Sequence, residues 1–128
     1  MGTCCGIAIN SGETYQTIYC HWDGYPSYML TMLRENYNSL ELAAKLISFG
    51  DASSIYEKLE PDPGVTNDFD NPQEGVCVFY HRDCGESWEH TKPTCYLKQE
   101  LHKQSFVYVY IFEDGKWNAY KDGRKLEV

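Results

Sequence analysis

Apolar and polar positions alternate clearly at the start of the chain. Thr3 to Ile9 is apolar, Asn10-Ser11-Gly12-Glu13 offers turn residues, and Thr14 to Trp22 alternates, a pattern that predicts an opening β-hairpin. The period of two puts Tyr15, Thr17, Tyr19 and His21 on one face of the second strand, and Ile18, Cys20 and Trp22 on the other. Asp23-Gly24-Tyr25-Pro26 breaks the pattern. Pro26 suits the first position of a helix over Ser27 to Tyr37, with Met29, Leu30, Leu33 and Tyr37 as its buried stripe. A second helix follows, with Asn38 and Glu41 as a capping-box variant, Leu42, Ala43, Leu46 and Ile47 as its apolar stripe, and Gly50 as its stop. Ser53 to Leu59 reads as a short helical piece. The proline, glycine and Asx residues between Glu60 and Gly75 predict a long loop.

The second half reads mainly as β. Val76 to Arg82 alternates and predicts a strand ending at Asp83-Cys84-Gly85-Glu86. Phe106 to Phe112 is aromatic or β-branched throughout, so it predicts a strand covered on both faces, either central or in a subunit interface. Asp114-Gly115 predicts a hairpin turn into Trp117-Asn118-Ala119-Tyr120, and Asp122-Gly123 opens a polar tail. Tyr96 to Lys103 fits a short helix or an edge segment equally. The expected fold class is α+β: a mainly antiparallel sheet, built from the N-terminal hairpin plus C-terminal strands, packed with two to three helices. With 128 residues, no repeat and no second core, residues 1–128 are expected to form a single ligand-binding domain.

Charge narrows the partners. A formal net charge of −8 argues against long nucleic acid, which is bound by basic surfaces. A small anion needs only a local cation such as Arg34, Arg82, Lys92 or Lys116, or the N–H groups of a helix start. No run of roughly 18 apolar residues and no signal-peptide pattern is present, so no membrane partner and no export are expected. The six cysteines are then expected to be reduced thiols. Cys20-His21, Cys77, His81 and Cys84 have the chemistry for zinc, but no C-x-x-C pair accompanies them, and no metal or cofactor is expected.

Three constellations carry candidate chemistry. Trp22-Asp23-Gly24-Tyr25-Pro26 places two amphipathic rings and a carboxylate where a helix begins, an arrangement that can stack a planar ligand; its structural alternative is a core tryptophan beside a tight turn. Arg82-Asp83 offers a planar fork for a phosphate or base edge, or else a surface ion pair. His21-x-Asp23 and His81-x-Asp83, each at the end of a predicted strand, share a face as a general base and its orienter would. No activated serine or cysteine motif accompanies them, which favours a binding protein over an enzyme.

The motifs CHWDGYP at Cys20 to Pro26, Gly50-Asp51, Phe69-Asp70-Asn71-Pro72, Tyr80-His81-Arg82-Asp83 and Glu113-Asp114-Gly115-Lys116-Trp117 resemble a widespread group of small phage and prophage proteins. That group looks similar in turn to the phage anti-CBASS nucleotide sponges, oligomeric proteins that sequester cyclic dinucleotides such as 3′,3′-cGAMP without cleaving them. The resemblance implies a homo-oligomer acting in the host bacterial cytoplasm with a cyclic dinucleotide as ligand. It further implies stacking by Trp22 and Tyr25, a phosphate or base-edge contact from Arg82, and hydrogen bonds from His21, Asp23 and Asp83. Two other readings stand beside it: an acidic inhibitor of a host defence or replication protein, and a small phosphodiesterase using a His-x-Asp pair.

Overall fold

The computed structural model describes residues 3–68 and 70–126. Its chain order is β1 (Cys5–Ser11), β2 (Thr14–Cys20), α1 (Pro26–Asn36), α2 (Leu40–Ser48), β3 (Ala52–Ser54), β4 (Val78–Phe79), α3 (Tyr80–Cys84), α4 (Trp88–Thr91), β5 (Thr94–Leu97), α5 (Lys98–Leu101), β6 (Tyr108–Glu113), β7 (Lys116–Lys121) and β8 (Arg124–Lys125). The fold is α+β, on a single sheet in the order β4-β3-β2-β1-β6-β7-β8, with β5 also paired to β2.

Most pairs are antiparallel, as expected, but the sheet is mixed. β1 runs parallel to β6, and β2 meets β3 in parallel at Cys20 and Ala52. The reason is topological. After the β1–β2 hairpin the chain passes through α1 and α2, adds β3, β4 and β5 on the β2 side, and then crosses over to the far side of β1 as β6. β6 is therefore central, flanked by β1 and β7, and Val109 to Phe112 are buried.

The period of two sorts the sheet's faces. Ile7, Ile9, Ile18, Cys20, Tyr110, Phe112, Trp117 and Ala119 meet Met29, Leu30, Leu33, Tyr37, Ala43, Leu46 and Ile47 from α1 and α2 in the main core. Ala8, Val109 and Ile111 on the other face are covered by Leu101, Tyr15, Tyr96, Phe106 and Tyr120. Phe106 lies so close over Gly6 that a Cβ there would come within 2.8 Å of its ring. The polar ends of buried rings also find partners: Trp117 Nε1 donates to the Tyr37 carbonyl at 2.9 Å, and Tyr110 OH to the Gly24 carbonyl at 2.6 Å.

Several local expectations are corrected. The cap of α2 is Ser39, whose Oγ accepts from Leu42 N at 3.1 Å, one residue later than the Asn38 position, and Leu42 is exposed while Ala43, Leu46 and Ile47 form the buried stripe. Ser53 to Leu59 is not helical, because the Ala52 and Ser53 carbonyls are taken by His21 N and Trp22 N, which draws this segment into β3 beside β2. The strand predicted over Val76 to Arg82 stops at Phe79 and coils into α3. Asp122-Gly123 is a turn with both φ positive that returns the chain as β8. Tyr96 to Lys103 proves to be both alternatives in succession, the end of β5 and then α5.

Gly50 ends α2 at φ +84, its N–H donating to the Ile47 carbonyl, and a Cβ there would fall 2.4 Å from the Thr91 carbonyl oxygen. Gly50→Ala is expected to lose roughly 2 to 4 kcal/mol, from the strained φ and the backbone collision together, read as a lower urea midpoint.

Candidate functional site

β2 ends at Cys20, so His21 and Trp22 no longer follow its alternation. Their backbone is held by β3, His21 N donating to the Ala52 carbonyl at 3.1 Å and Trp22 N to the Ser53 carbonyl at 3.0 Å. Trp22 turns outward and is 38% exposed, instead of joining Ile18 and Cys20 in the core. Asp23 takes φ +57, a left-handed conformation that an Asx side chain tolerates, and so redirects the chain. Gly24 is clamped. Its N–H donates to the Thr3 carbonyl at 2.7 Å, its carbonyl accepts from Tyr110 OH, and a Cβ would lie 2.6 Å from the Thr3 oxygen. Tyr25 then occupies the N-cap position of α1, with Pro26 at its start.

This junction borders a groove of about 230 Å³ lined by Trp22, Asp23, Ser53, Tyr56, Pro72 and Val78 among others. The Trp22 indole forms one wall and is braced edge-on by the His21 ring at 4.6 Å. Tyr25 stands outside the lining, 40% exposed, at the end of a run of rings: Tyr25 to Tyr28 at 6.2 Å, then Tyr28 to the groove's Tyr56 at 6.4 Å. Tyr28 is fixed by its hydroxyl, which donates to the Ile55 carbonyl at 2.7 Å. The groove thus has an aromatic wall, one carboxylate and small hydroxyls, and among the described residues no lysine or arginine lines it.

Arg82 and Asp83 lie elsewhere and are occupied with each other. The guanidinium binds Asp83 through Nε and Nη2, each at 2.9 Å, and donates to the Leu59 and Cys77 carbonyls at 2.6 and 3.1 Å. It sits near 5 Å from both the Phe49 and Phe79 ring centres (5.0 and 4.9 Å). The Asp83 side chain is 4% exposed and also accepts from Phe79 N at 2.8 Å, which closes α3. This set of bonds explains why the segment coils instead of continuing as a strand. It also ties the long loop to the sheet, since Asn67 Nδ2 reaches the same Cys77 carbonyl and Asn67 Oδ1 accepts from Gln73 N.

Neither histidine pairs with its expected aspartate. His21 Nδ1 shares a hydrogen bond of 2.6 Å with Tyr19 OH, and His81 Nδ1 meets the Glu86 carbonyl at 2.7 Å beside Trp88. Helical geometry in α3 also removes the shared face that a strand would have given His81 and Asp83. Among the described residues no three His, Cys, Asp or Glu side chains converge as metal ligands would.

One group that the sequence places only within the Gly50-Asp51 motif, with no site role, stands out. Asp51, just past the Gly50 stop, accepts from Tyr19 N at 2.9 Å through Oδ1. Burial pushes its carboxyl up to about 6, with the Tyr19 hydrogen bond opposing. The signal available was an acidic residue directly after a helix stop, where no dipole or capping argument calls for one.

Comparison with protein-family models, curated proteins and solved structures finds no match for this chain, so geometry carries the reading of the site.

Two outcomes follow. Arg82→Met is expected to cost roughly 3 to 5 kcal/mol, because it strands a buried Asp83 carboxylate, and urea unfolding reads this directly. For Asp51 the folded value, about 6, lies above the ordinary 3.8. Its contribution to stability is therefore full below about pH 4 and declines as pH rises towards 6. The urea midpoint of the wild type relative to Asp51→Asn is expected to fall across that window and stay level above it.

Proposed function

We propose that this chain is a binding protein that holds a small ligand by one planar ring against Trp22, without altering it chemically. The observation that carries the reading is the outward Trp22 indole, fixed by backbone bonds to β3, by the clamped Gly24 and by the His21 ring, at the mouth of a groove containing Asp23 and Tyr56. An exposed ring held in one place costs little entropy on binding, which is what a tight site needs. The wall supplies stacking and Asp23 supplies an acceptor for a ring amino group.

The ligand class we take forward is a cyclic dinucleotide, on the resemblance of the CHWDGYP motif, and the activity is sequestration in a host bacterial cytoplasm. Size bears on how it would be held. A void of about 230 Å³ lies below the few hundred cubic ångströms that enclose a drug-sized ligand, so one groove accommodates one base and leaves the rest of the molecule to a second copy of the chain. Arg82 plays no part in this version, because four of its five N–H donors are satisfied internally and it does not line the groove; ligand phosphates would face solvent or backbone donors. Catalysis by the His-x-Asp pairs has no geometric support in their observed hydrogen bonds.

The test is calorimetry of the purified protein against a panel of cyclic di- and trinucleotides, followed by heat release and mass spectrometry of the ligand. Binding with intact release, weakened roughly ten- to hundredfold in Trp22→Ala at unchanged thermal stability, is the expected result. Cleaved product would make the chain an enzyme. Absence of binding across the panel would reject the nucleotide reading and direct attention to a protein partner.

A further inference from the structure

A second void, of about 190 Å³, lies between β2, β5 and the segment that follows α5. Six of its lining residues define its chemistry: Thr17, Tyr19, Asp51, Tyr96, Gln104 and Phe106. Its most polar feature is the Asp51 carboxylate, set among the hydroxyls of Thr17, Thr94 and Ser105. Asp51 uses Oδ1 for Tyr19 N, which leaves its other oxygen, Oδ2, outside that bond. Thr17 donates its hydroxyl hydrogen to the Tyr15 carbonyl at 3.2 Å, and Gln104 Nε2 donates one of its two hydrogens to the Glu100 carbonyl at 3.1 Å. The oxygens of both side chains keep acceptor capacity. No lysine or arginine lines it, and Tyr19, Tyr96 and Phe106 give it aromatic walls, with the Tyr19 and Phe106 ring centres 6.4 Å apart.

A pocket with a carboxylate oxygen, further acceptors and aromatic walls is complementary to a donor that carries positive charge. We propose that this void is a binding site for a small organic monocation, a primary ammonium or guanidinium group on a short apolar stem, with Asp51 as the charged partner. The structural role of Asp51 accounts for Oδ1 alone, since a neutral amide oxygen could accept from Tyr19 N equally well. The carboxylate's second oxygen and its charge are what that role leaves over. At neutral pH the group is mostly ionised even though burial raises it to about 6. The volume excludes a large ligand and fits a stem of a few carbons.

The experiment is a titration of isotopically labelled protein at pH 7.5 with n-butylammonium chloride and with methylguanidinium chloride, followed by amide and side-chain resonances, with sodium chloride and n-butanol as controls. Saturable shifts centred on Thr17, Tyr19 and the Gln104 side chain are expected with the cations. In Asp51→Asn affinity is expected to fall at least about tenfold while the Tyr19 amide stays protected from exchange. Tyr96→Leu, which leaves the carboxylate in place, is expected to weaken binding less. The proposal is overturned if neither cation gives saturable shifts at these residues, if n-butanol shifts them as strongly as n-butylammonium, or if Asp51→Asn binds as well as the wild type. The butanol comparison needs no variant, so it decides the matter even if a substitution perturbs folding.

Discussion

β2 must satisfy its outer edge, and no one strand does so. β5 pairs with Thr14 to Thr17, β3 meets it at Cys20, and the amide of Tyr19 between them is met by a side chain, that of Asp51. A strand amide in a sheet interior cannot be left without an acceptor, so this carboxylate closes the ladder where the two partners part. The division of the edge shapes both voids. On the β3 side the backbone bonds to residues 52 and 53 hold His21 and Trp22 in place and open the groove beside Ser53. On the β5 side the gap is left around Asp51 itself.

Preorganisation elsewhere comes from polar groups spent on backbone carbonyls. Tyr110 on Gly24, Trp117 on Tyr37, Tyr28 on Ile55 and Arg82 on Leu59 and Cys77 each fasten a loop or helix end to a buried ring or guanidinium. Apart from the Arg82–Cys77 bond these are ties between residues distant in the chain, and they fasten irregular backbone to the packed elements. Trp22 gains its definite orientation this way despite standing past the end of a strand.

The parts legible in the sequence were those whose pattern is local. An apolar run located β1, alternation located β2, an aromatic and β-branched run located β6, Pro26 and the Met29 stripe located α1, and Asp114-Gly115 located the β6–β7 turn. What escaped depends on partners distant in the chain. β3 is three residues of alanine and serine with no strand signal of its own, and it exists because β2 offers an unpaired edge. α3 replaces a strand because Arg82 finds acceptors at Leu59 and Cys77, and neither carbonyl announces itself in the sequence. The candidate site was half legible for the same reason. Trp22, Asp23 and Gly24 signalled a junction by residue type. Tyr56, Ser53 and Pro72, which complete the groove, and Asp51, which sits in the other void, carry no such mark.

The parallel pairing of β1 with β6 joins Cys5 to Tyr108, almost the whole described chain apart. During synthesis the β1–β2 hairpin and both long helices emerge well before β6, and β1 has no neighbour on that side until β6 leaves the ribosome. Loop closure over that distance is entropically slow compared with the β6–β7 hairpin, which forms from adjacent residues. The nascent protein therefore carries an open, apolar strand edge until β6 arrives, and a product truncated before β6 would keep it, as a template for pairing with another chain.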